Sequence, residues 1–315
     1  MRLYFCSDIH ASEACWRKFL ATPKFYEADV IIVGGDITGK FVVPIIQQAS
    51  GAWTAQFMGI ERKVRNQTEL GVLKRQIADA GQYGFETSPD EYAHYSADQT
   101  RVDELFKRLA LERVAEWMQL ADERLRGTGV RCLVSGANDD FFEVDALLAQ
   151  SDLVEDPNCR VLDLDGGLQL MGMGYGNPTP WPCPRDIPEE ELAARIFEVS
   201  AGLSNPERAI MSLHVPPYDS TLDIAPRLDE QLRMVMNAGG PEMIPVGSTA
   251  VRDALLSFQP LLSLHGHIHE SKGIRKMGKS IAVNPGSEYA EGILDGVLVD
   301  IDPRRLTLHT QLVSG

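Results

Sequence analysis

Val30-Ile31-Ile32-Val33-Gly34-Gly35-Asp36 decides the reading of this chain: four β-branched apolar residues in a row, two glycines, then a carboxylate. An unbroken apolar run of that length reads as a strand buried on both faces, as in a sheet covered by helices. The glycines let the backbone turn sharply beneath an exposed Asp36. The same grammar recurs in both directions. Residues 3–7, 132–135, 209–213, 261–264 and 281–283 read as further buried strands, most of them closed by turn residues such as Gly136, Pro216-Pro217, Gly266 and Pro285-Gly286. Helical patterns follow at about 13–20, 144–150, 189–199 and 249–258, the last behind a Ser248 N-cap. Paired runs at 161–164 with 168–173, and at 296–301 with 306–313, read as hairpins, so the α/β fold contains mixed sheets.

The stretch from about 41 to 128 breaks this rhythm. It shows little strand signal and one long helical pattern, 101–125, and is expected to be an inserted helical subdomain, a cap or an interface, within a single domain spanning 1–315. Its basic residues Arg62, Lys63, Arg65, Lys74 and Arg75 read as a solvated helix face, with a lid over an anionic ligand as the sharper alternative. A second irregular stretch, 175–184, is stiffened by four prolines.

Forty-five acidic against 30 basic residues leave a net charge of -15, which repels nucleic acid and anionic membrane surfaces. No apolar run approaches the ~20 residues of a membrane helix. Five cysteines without a C-x-x-C pair suit reduced thiols, so a cytoplasmic location is expected. A small anionic ester could still be drawn in by a local cationic centre. A homo-oligomer is compatible with all of this.

Chemistry gathers at the strand ends. Asp8 and His10 close the first strand, and in an extended segment residues two apart face the same way. Asp36 closes the second, Asn138-Asp139-Asp140 follow the third, His214-Val215-Pro216-Pro217 a later one, and His265-Gly266-His267-Ile268-His269 another. Open α/β sheets bind ligands beyond the carboxyl ends of their strands. Any one of these elements alone is unremarkable; four of the chain's seven histidines (His10, His214, His267 and His269) with two Asp and one Asn at successive strand ends are metal-ligand usage.

This order of motifs, D-x-H, G-D, N with acidic neighbours, H-x-P-P and G-H-x-H, resembles the calcineurin-like metallophosphoesterases, in particular a small prokaryotic phosphodiesterase-like branch. Asn284-Pro285-Gly286-Ser287 and the Pro178-Thr179-Pro180 loop add to the likeness. The resemblance implies two mixed sheets sandwiched by helices in four α/β/β/α layers around a two-metal centre. It implies Asp8, His10 and His269 on one ion, Asn138, His214 and His267 on the other, and Asp36 bridging. Mixed nitrogen and oxygen donors suit Mn, Fe, Zn, Co or Ni, divalent or trivalent, better than Ca or Mg. The implied activity is hydrolysis of a small, nucleotide-like phosphodiester or phosphomonoester by a metal-bridging hydroxide. The alternative is a weak or inactive relative serving as an interaction scaffold.

The third motif departs from the family pattern. Where the family carries a His that touches phosphate and helps to protonate the leaving group, this chain has Asp139. A carboxylate beside two cations stays ionised and repels phosphate. Either Asp139 positions water or another group beside Asn138, or His265 supplies the proton, and slow turnover favouring acidic leaving groups is expected.

Overall fold

A computed structural model describes residues 1–315. Two six-stranded sheets carry the fold. In the first, Arg2–Cys6, Val30–Val33, Arg131–Val134 and Val154–Glu155 run parallel, and Asp295–Asp302 with Thr307–Ser314 add an antiparallel edge. In the second, Leu168–Met173, Ala209–Leu213, Leu262–Leu264 and Ser280–Asn284 are parallel, flanked by antiparallel Val161–Leu164 and Gly273–Met277.

Strand alternation sorts the side chains into layers. Leu3, Phe5, Val30 and Ile32 point inward, against Leu168, Leu170, Ile210 and Leu262 of the second sheet. Their neighbours Tyr4, Cys6, Ile31 and Val33 point outward, under Trp16, Phe19, Trp117 and Val144 of helices Glu13–Tyr26, Gln99–Leu125 and Glu143–Leu148. On the far side Met171, Met173, Met211 and Leu213 pack beneath Glu189–Ser200 and Thr249–Phe258. The order helix, sheet, sheet, helix is the four-layer sandwich that the sequence implied. Ser248 caps the last of these helices, accepting from Val251 N at 3.1 Å. No helix is long and apolar enough to cross a membrane.

The helical reading of 41–128 needs correction. Val42–Gln47, Trp53–Phe57, Ile60–Val64 and Tyr83–Thr87 form a four-stranded sheet that packs on helix Gln67–Asp79 around Ile45, Trp53, Phe57, Leu73 and Ile77. Arg62 and Lys63 therefore lie on a strand, with Lys63 paired to Glu61 at 3.3 Å, while Lys74 on the helix pairs with Glu86 at 2.7 Å. The long helix Gln99–Leu125 belongs to the main sandwich: Trp117 stacks on Trp16 at 4.8 Å between ring centroids and donates to Glu13 Oε1 at 2.8 Å. Between 216 and 248 a further arm of short antiparallel pairs, Ile224–Pro226 with Met243–Pro245 and Met236–Asn237 with Gly240–Pro241, leaves the second sheet.

Trp117→Ala removes a fully buried indole from the sandwich and is expected to cost about 3–5 kcal/mol in urea unfolding; a loss under about 1 kcal/mol would place the helix outside the core.

Candidate metal centre

The parallel strands of both sheets end on one side of the sandwich, and the loops beyond them are laced together by backbone. Asp8 N donates to Gly35 O at 3.0 Å, His10 N to Asp36 O at 3.0 Å and Ala11 N to Ile37 O at 2.8 Å. Gly266 N donates to His214 O at 2.9 Å, joining the loops of the second sheet. The chain reverses so tightly here that Asp8, His10, Asp36 and His267 have φ of 56°, 37°, 51° and 66°. Asp8 and His10 thus share a direction through a tight left-handed turn and not through strand alternation, because the strand has ended at Cys6. Left-handed conformations on non-glycine residues are costly and persist where the surroundings over-determine them. Gly266 is required in this crowd: a Cβ there would lie 2.1 Å from Asp8 Oδ2 and 2.2 Å from Ser7 Oγ.

Seven predicted ligands converge. Donor atoms of Asp8, His10 and His269 lie within 4.8 Å of one another, as do those of Asp36, His214 and His267. Asn138 joins the second group, its Oδ1 3.1 Å from His267 Nδ1. Its amide nitrogen donates to Asp186 Oδ1 at 3.1 Å, which turns the oxygen toward the cluster. Asp36 Oδ2 lies 3.8 Å from His10 Nε2 and 3.5 Å from His214 Nε2, between the two groups.

Second-layer contacts choose the tautomers. His10 Nδ1 lies 3.0 Å from Thr38 O and His214 Nδ1 lies 3.0 Å from Gly34 O. A carbonyl only accepts, so each Nδ1 carries a proton and each Nε2 is turned inward, where it could give a lone pair to a cation. His214 Nε2 is buried without a hydrogen-bond partner, and His10 Nε2 faces His269 Nε2 at 3.2 Å. Burial, with the nearby Lys40 charge, holds His10 down to about 4; burial, with His214, does the same for His267. Burial works against charge on Asp8 and Asp36, but the imidazoles of His269 and His214 outweigh it and hold both carboxyls well below the ordinary range. Burial opposes charge on the imidazoles too, but Asp36 and Asp8 push His214 up to about 9 and Asp8 pushes His269 up, so without a cation these two carry the extra proton that balances the carboxylates. A cation would take that proton's place, and ionised carboxylates with imidazole nitrogens are a donor set that fits one.

The other two predicted residues separate. His265 is fully buried with Nδ1 2.7 Å from Leu213 O and Nε2 2.8 Å from Ser263 Oγ. Both nitrogens are engaged with the second sheet, so its role as proton donor is corrected to a structural one. Asp139 lies at the cluster, within 4.8 Å of His10 and Asp36. Its backbone N donates to Asp36 Oδ1 at 3.1 Å, Cys183 Sγ donates to its Oδ1 at 3.0 Å, and Lys40 Nζ lies 2.8 Å from its Oδ2.

Three contributors went unread in the sequence. Lys40 ends the Asp36 loop. Asp140 accepts from Ile37 N, Thr38 N, Thr38 Oγ1 and Ala137 N at 2.7–3.1 Å, tying two strand-end loops together. Arg185, 1% exposed, donates to Asp140 O and Phe141 O and forks onto Asp145. The available signal for Asp140 was its place in Asn138-Asp139-Asp140; Arg185 and Lys40 meet their partners only in three dimensions.

No family model matches the chain. The uncharacterized protein MJ1162 of Methanocaldococcus jannaschii is 29% identical over 157 residues, a match that spans 46% of this chain and 65% of that protein's length. One solved structure superposes with a TM-score of 0.58 at 15% identity, covering 98% of both chains. TT1561 of Thermus thermophilus superposes at 0.53 with 14% identity, covering 98% of this chain and 97% of its own.

Gly266→Ala is expected to lose about 1–3 kcal/mol through overpacking against Asp8, whereas Gly71→Ala, with open space around it on a helix, should be neutral or stabilising; equal thermal stability of the two variants would contradict the close approach at Gly266. Architecture and strand-end geometry together identify the fold as an α/β/β/α sandwich of two mixed sheets, shared with those two solved structures, with the donor cluster at its strand ends.

Proposed function

We propose that this chain is a binuclear metal-dependent phosphoesterase that hydrolyses a small phosphodiester or phosphomonoester. The observation that carries the reading is the pair of ligand groups meeting at Asp36, with an orphaned His214 Nε2 aimed into them. Asp8, His10 and His269 would hold one cation, Asn138, His214 and His267 the other, and Asp36 both. Such a pair supplies Lewis-acid activation of water and neutralises charge on the phosphoryl oxygens.

The chain's own residues do the rest. Thr38 O and Gly34 O accept from Nδ1 of His10 and His214 and so turn each Nε2 toward the place a cation would take. Asp186 orients Asn138, and His267 N donates to both oxygens of Asp8 at 3.0 and 2.9 Å, fixing that carboxylate. A nucleotide-like substrate, native metals of the Mn, Fe, Zn, Co or Ni group, and a cytoplasmic setting belong to the same reading.

Two measurements test it. Mn²⁺ should bind the wild-type protein and raise its Tm, and with Mn²⁺ the protein should hydrolyse an aryl phosphodiester; Asp36→Asn should reduce Mn²⁺ affinity at least about 10-fold and turnover by about 100-fold or more. An interaction scaffold would stay inactive with every metal tried. In either case His265→Gln should act on stability and leave Mn²⁺ affinity within about twofold.

A further inference from the structure

The predicted repulsion between Asp139 and phosphate is answered in the structure by Lys40. Its Nζ lies 2.8 Å from Asp139 Oδ2, on a side chain 40% exposed, so the ammonium sits at the open edge of the ligand cluster. Asp139 is held by Asp36 and Cys183 as well, which fixes where the ammonium stands. A half-exposed ion pair contributes little to stability. An ammonium has three donors, and Asp139 accounts for one. On a chain of net charge -15 with Asp8, Asp36 and Asp139 gathered at one spot, this is the cation placed to receive an anion.

We infer that Lys40 is a substrate-binding residue: its ammonium, standing on Asp139, donates to a non-bridging oxygen of the substrate phosphate at the mouth of the cluster. The inference rests on the phosphoesterase reading and adds to it a contact from outside the ligand set. It also gives the departure at the third motif a purpose, because a Lys–Asp pair presents a fixed positive donor where an unpaired Asp139 would repel.

Inorganic phosphate titrated calorimetrically into the Mn²⁺-loaded protein tests this. Lys40→Met should weaken phosphate about 10- to 100-fold, as expected for a lost charge-assisted hydrogen bond, with Mn²⁺ affinity unchanged. Lys40→Arg should stay within about fivefold of wild type. The double variant Lys40→Met/Asp139→Asn decides between contact and mere neutralisation: it should remain weak, since the donor is still missing. Wild-type phosphate affinity in Lys40→Met, or its recovery in the double variant, overturns the inference while leaving the phosphoesterase reading intact. Failure of the wild-type protein to take up Mn²⁺, seen before any phosphate is added, would overturn both.

Discussion

Asp8 and Asp36 are 1% and 3% exposed, and they face the imidazoles of His214 and His269. Burying an ionised carboxylate is costly unless charge or donors compensate it. That requirement organises the molecule. Parallel strands in both sheets put their carboxyl ends on one side, and the sandwich brings the two rows of loops face to face. Each loop is then pinned by backbone: Asp8 to Gly35, His10 to Asp36, Gly266 to His214. The apolar core between Leu3, Phe5, Leu170 and Leu262 is what allows those loops to be held at all.

The pinning has a conformational cost. Four of the candidate ligand residues stand in the left-handed region, where side chains are disfavoured. The surrounding contacts are correspondingly dense: Asp140 accepts four hydrogen bonds from two loops, and Arg185, buried without exposure to speak of, clamps Asp140, Phe141 and Asp145. Donor positions are thus set by residues that never touch a ligand.

Much of this is legible in the sequence. Val30–Val33 and its counterparts announce buried strands because nothing polar interrupts them, and the residues just past them are the donors. The inserted sheet was illegible for a physical reason. Val42–Gln47 contains Pro44, Tyr83–Thr87 contains Gly84, and Ile60–Val64 is mostly exposed and charged; only Trp53–Phe57 alternates apolar and polar residues, and five residues alone are a weak signal. His265 misled because it belongs to a His-rich run, although its ring faces Ser263 and the carbonyls of Leu213 and Val215. Lys40 and Arg185 had no local signature: their meaning lies in partners brought near only by the closing of the sandwich.

The inserted sheet touches the centre more intimately than an appendage would. Gly39 N donates to Tyr83 Oη at 2.7 Å, and Gly81 packs so close that a Cβ on it would lie 2.3 Å from His10 O. Lys40 therefore stands at the junction of two modules. A lineage that trimmed or rebuilt the graft would retune the mouth of the centre without altering one ligand, so diversity among such chains should accumulate in the graft while the donors stay fixed.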